Sequence, residues 1–159
     1  MKPILVLAIG NPSRGDDALG PLLAERLMQW LQRRPASVQL AVEIICEQQL
    51  MVEHVDDLRD RPCVLIIDAA ASGAPGALIQ TVQALPAPPA VQSHQCPPPA
   101  LLALYQHLMQ SPPPPCSVLS IKGEGFELGA PLSADARQAL RTAWDLMQAW
   151  LDEALHAHA

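Results

Sequence analysis

Three side chains in this sequence stand out for the chemistry they could perform together: Asp17, Asp68 and His94. Carboxylate oxygens and an imidazole nitrogen make a ligand set suited to a borderline divalent ion such as nickel, zinc or manganese. Three protein ligands would leave a position open for a water or a substrate group. The spacing is not itself a metal signature, because the chain has neither HExxH nor paired cysteines. Any convergence has to come from the fold.

The first aspartate sits just beyond a strand-like run. Ile4 to Ile9 is unbroken apolar sequence closed by Gly10, Asn11 and Pro12, which reads as a buried parallel strand ending at a turn. Leu19, Leu22, Leu23, Leu27 and Leu31 then recur at helical spacing. Strand, glycine-bearing loop and helix make the first half of a βαβ unit, and in open α/β sheets such loops line the ligand crevice. Gly10 and Gly15 have the spacing of a P-loop, but Asp16 and Asp17 stand where that motif needs Lys and Ser/Thr. Two carboxylates repel phosphate and attract a cation or a positively charged group. Their other possible employment is helix capping, worth about 1 kcal/mol, for which one aspartate suffices.

Val38 to Cys46 alternates and is rich in β-branched residues, which predicts a second strand near an edge of the sheet. Residues 47–60 read as a loop and a short helix with Leu50, Val52, Val55 and Leu58 on its apolar face and His54 at the surface. Cys63 to Ala71 is the clearest strand, central, with Asp68 at its carboxyl end. A buried charge is costly, so Asp68 needs a partner, an opening to solvent, or the backbone of the following turn. Gly76 to Leu85 reads as a fourth strand. The ASGAP connection is far shorter than a parallel crossover requires, so this strand must run antiparallel. After the proline-rich stretch 86–99, Ala100, Leu101, Leu104, Tyr105 and Leu108 continue as a helix, and 116–123 is a fifth strand. If that strand is parallel to the first and third, the helix before it starts at their carboxyl edge. His94 then arrives at the same edge as Asp17 and Asp68. Finally 132–155 is a long helix capped by Ser133, with Ala136, Leu140, Ala143, Trp144, Met147 and Leu151 as its stripe and His156 and His158 in a fraying tail.

These elements define one α/β domain over residues 1–159, long enough for a sizeable core. Half of the residues are hydrophobic but only 3% are aromatic, so that core must be aliphatic. A formal net charge of −6 argues against nucleic acid and an anionic membrane surface as partners. The sequence has no secretory signal pattern and no bilayer-length apolar run, which makes a cytoplasmic location the expectation. Cys46, Cys63, Cys96 and Cys116 show no CxxC pairing and read as buried small hydrophobes.

Taken together, GNPSRGDDALG at 10–20, QQL at 48–50, LIIDAA at 65–70, SHQ at 93–95 and FELGAPLSADARQAL at 126–140 resemble the hydrogenase maturation proteases. These endopeptidases trim the C-terminus of nickel–iron hydrogenase large subunits. The resemblance spans nearly the whole chain. It implies a three-layer αβα fold around a five-stranded, mostly parallel twisted sheet in the order 2-1-3-5-4, with strand 4 antiparallel. It also implies that Asp17, Asp68 and His94 are the metal contacts and catalytic residues of an aspartic-type or metal-dependent endopeptidase. Its partner would be the large-subunit precursor, which supplies the nickel; no organic cofactor and a monomeric state are expected. Cleavage would be gated on metal loading, and Arg14 either steers the precursor tail or is a solvated charge. Ala18 departs from the glycine that the family prefers and points to a helical backbone there. Two other readings compete: a thiol hydrolase using Cys96 with His94, and a non-catalytic, nickel-sensing chaperone of the precursor.

Overall fold

The computed structural model describes residues 2–90 and 94–159. Ser93, part of the SHQ match, lies outside the described residues, as do Val91 and Gln92 of the proline-rich stretch. Five strands, β1 (Ile4–Ile9), β2 (Val42–Glu47), β3 (Val64–Ala70), β4 (Ala77–Val82) and β5 (Cys116–Lys122), form one sheet in the order β2-β1-β3-β5-β4. β1 pairs in parallel with β2 and β3, and β3 with β5, while β4 pairs antiparallel with β5. The short connection after β3 thus has the consequence expected of it, and β4 is an outer strand, paired on one side only among the described residues.

The alternation of side chains across each strand divides the interior in two. Ile4 and Val6 of β1 and Leu65 and Ile67 of β3 pack under α1 (Leu19–Leu31) and α5 (Ala134–Ala157). Leu5, Leu7 and Ile9 with Val64 and Ile66 pack under α3 (Val55–Leu58) and α4 (Pro98–Met109). Covered on both faces, β1 and the Val64–Ile67 part of β3 are continuously apolar. Asp68 shares the parity of Val64 and Ile66 and therefore belongs to the α3/α4 face.

Helix boundaries follow local chemistry. Pro98 and Pro99 occupy the first positions of α4, where their missing N–H groups have no intrahelical partner to lose. Ser133 caps α5, its Oγ accepting from Ala136 N at 3.1 Å. The helix runs on to Ala157, so His156 is helical rather than frayed.

The second strand begins later than its alternation predicts. Pro35, extended at φ −56° and ψ 152°, starts a short helix, α2 (Ala36–Leu40), and β2 follows only from Val42. It is an edge strand, as expected. Cys46 on it is exposed, unlike the buried Cys63, Cys96 and Cys116.

Candidate active site

The loop after β1 turns sharply because Gly10 and Gly15 allow it. A Cβ on Gly10 would lie 2.0 Å from Asp17 O, and Gly15 has φ +54° with its Cα side against Gly125 O. A 3₁₀ turn over Gly15–Ala18 then leads into α1. Ala18 has φ −76° and ψ −6°, so a side chain is accommodated without strain.

The two neighbouring aspartates part company in this turn. Asp16 is completely buried. Its Oδ2 accepts from Glu124 N (2.7 Å), Gly125 N (3.2 Å) and Ser133 Oγ (2.7 Å), and its Oδ1 from Ser133 N (2.8 Å). Burial alone would raise its pKa, but these donors outweigh it and hold the carboxyl below its usual range. Neither residue caps α1. Asp17 points the other way, with Oδ2 accepting from Asn11 N at 2.7 Å, and helps to line an open cavity of about 650 Å³.

Asp68 lines the same cavity, at the carboxyl end of β3. Burial pushes its carboxyl up to about 6; the Ala69 backbone N–H pulls against this, and the negative charge of Asp17 pushes it further. Ile9 and Ile66 add apolar surface to its lining. Gln48, Gln49 and Leu50, which follow β2, and Gln95, Cys96, Pro97 and Pro98, which precede and open α4, complete the lining. No cation is among these lining residues, so the cavity presents two carboxylates to whatever enters it.

The segment before α4 does reach this edge, but the imidazole of His94 does not join the carboxylates. Backbone pairing places it: Val52 N donates to His94 O (2.8 Å) and Cys96 N to Leu50 O (3.0 Å), around a bridge between Met51 and Gln95. The His94 ring, 69% exposed, bonds through Nδ1 to the carboxylate of Glu53. Among the described residues, no three His, Cys, Asp or Glu side chains are grouped to hold a metal ion. As a resident metal site the cavity is therefore two carboxylates.

His54 is buried, contrary to the surface position expected. Its Nδ1 accepts from Met51 N at 2.8 Å, and Nε2 lies 4.0 Å from Glu47 Oε1. It braces the turn that carries Glu53. The Cys96 thiol is buried, points to Pro97 O (3.6 Å) and has its pKa raised by burial. An activated thiol needs the opposite shift. The Arg14 side chain is exposed at the loop tip.

Reasoning from sequence alone missed the separate duty of Asp16, the Glu53–His94 pair and the glutamines of the cavity wall. Only the glutamines left a trace, as the QQL match.

No protein-family model and no curated protein matches the sequence. Solved structures do match in fold. A hydrogenase maturating endopeptidase, HybD from E. coli, is 25% identical, with a TM-score of 0.72 over 95% of this chain and 93% of that one. An endopeptidase from Escherichia coli, solved in solution, is 22% identical (TM-score 0.69; 95% and 93% covered). A [NiFe] hydrogenase maturation protease, HycI from Thermococcus kodakarensis KOD1, is 22% identical (TM-score 0.64; 95% and 91% covered). The latter two likenesses carry the fold alone. Over nearly its full length, the chain has the fold of proteins named hydrogenase maturation proteases.

Proposed function

We propose that this chain, built on the fold of the hydrogenase maturation endopeptidases, is itself such an endopeptidase. Its substrate is the nickel-loaded large-subunit precursor of a nickel–iron hydrogenase, from which it removes the C-terminal extension. The observation that carries this reading is the pairing of Asp17 and Asp68 in one open cavity without a cation, on a fold shared with named endopeptidases.

Nickel belongs to the substrate in this reading. Two resident carboxylates hold an ion weakly on their own, and the incoming peptide brings the remaining ligands with the metal. Docking then places the scissile carbonyl or a water beside the ion, which polarises it, and one of the two carboxylates accepts the proton of the attacking water. His94 is the third contact, its ring leaving Glu53 as the loaded precursor arrives. The gating is physical: without nickel, the two like charges have nothing to grip. Cytoplasmic residence accords with such a partner, and no helix among the described residues is long and apolar enough to cross a membrane.

The experiment is to mix the purified chain with nickel-loaded and nickel-free precursor and follow precursor mass. Shortening of the loaded form alone is expected. Shortening of both forms equally would remove the metal gate but keep the peptidase, and no shortening of either would leave a chaperone.

A further inference from the structure

The buried carboxylate next to the cavity is not explained by helix capping. Ser133 already caps α5 through its own hydroxyl, and Asp16 caps nothing on α1. Instead it closes a seam between two loops. Four donors from Glu124, Gly125 and Ser133 converge on its oxygens, its own N–H donates to Gly125 O at 2.7 Å, and Gly129 N donates to Ser13 O at 2.7 Å alongside.

We propose that Asp16 is a positioning residue for Asp17, fastening the loop after β1 to the 123–133 loop so that the next carboxylate is aimed into the cavity. The proposal rests on the reading of Asp17 as a group that meets the substrate. Successive side chains in a 3₁₀ turn diverge by about 120°, three residues completing a turn. Fixing Asp16 against the 123–133 loop therefore fixes the direction of Asp17. Asn11 records the result, because its N–H donates to Asp17 Oδ2 at 2.7 Å. The seam joins positions more than a hundred residues apart, so the aim of Asp17 depends on a segment remote from it in sequence.

Asp16→Asn tests this, since an amide must set an N–H against donors already present. Its precursor-processing kcat should fall at least about tenfold with KM within about twofold, and hydrogen exchange at the Asn11 amide should accelerate. Met147→Ala, in the α5 core away from the cavity, supplies a comparable fall in Tm and should change neither readout. Unchanged kcat and unchanged Asn11 protection in Asp16→Asn would overturn the proposal, as would equal effects in Met147→Ala. If Asp16→Asn does not fold, Gly123→Ala replaces it. The new Cβ would lie 2.7 Å from both Asp16 Cβ and Phe126 Cζ; the Phe126 ring end can swing aside, whereas Asp16 Cβ moves only by shifting its own carboxylate off the seam; retention of both readouts in this variant would also overturn the proposal. An active Asp17→Ala protein would sink the catalytic reading of the site, while the Asn11 exchange rate would still decide what Asp16 does.

Discussion

Replacing Asp68 by Asn should raise the stability of the protein at neutral pH while abolishing its activity. In an unfolded chain this carboxyl titrates near 3.8, and burial in the fold moves it to about 6. The native state therefore keeps a proton that the unfolded state has already lost, so stability falls as pH rises from about 4 to about 6 and stays reduced above that. A shift of that size is a penalty of about 3 kcal/mol on the ionised form. Asparagine carries no charge to desolvate, repels nothing at Asp17, and keeps an oxygen for the Ala69 N–H. Because the cavity is open, relief of about 1–3 kcal/mol is expected at pH 7, a rise in Tm of roughly 2–4 °C per kcal/mol for a chain of this size. At pH 4 both proteins should melt together. Thermal melts across pH 4–7.5, run beside a precursor-processing assay, read all of this. A Tm difference that is absent at pH 7, or equal at both ends of the range, would refute the assignment of Asp68 as a desolvated carboxylate.

Cys96→Ser should process precursor at close to the normal rate, and iodoacetamide should not inhibit, because the thiol is buried and its pKa is raised; loss of processing in either experiment would revive the thiol mechanism. Gly15→Ala should cost about 2–3 kcal/mol by denaturant melts, since its Cβ would stand 2.4 Å from Gly125 O at φ +54°. His54→Ala should cost about 1–3 kcal/mol, as the Met51 N–H loses its acceptor inside the protein, and should speed exchange of the Val52 amide that is bonded to His94 O.

What the sequence made legible follows from how local the cause was. The apolar runs of β1 and of Val64–Ile67 in β3 are continuous because both faces are covered, and the brevity of ASGAP leaves β4 no choice of direction. The aspartate at the end of β3 takes its face from alternation alone. Residues 38–40 misled because their alternation suits a strand, yet they belong to a short helix that starts after Pro35. Asp16 and Asp17 are the same residue side by side; partners more than a hundred positions away separate them. The edge to which His94 comes was legible from topology, but the direction of its ring was not, being set by Glu53, 41 positions distant. His54 looked solvated because nothing nearby in sequence shows that its turn is folded inward.

The prolines beside the cavity bear on affinity. Pro97 and Pro98 belong to its wall, and Pro99 follows them into the first turn of α4. Each ring locks one backbone torsion before any ligand arrives, so this part of the lining has few alternative conformations to surrender. A flexible tail that settles there forfeits its own freedom but little of its host's, and association is stronger for a given set of contacts.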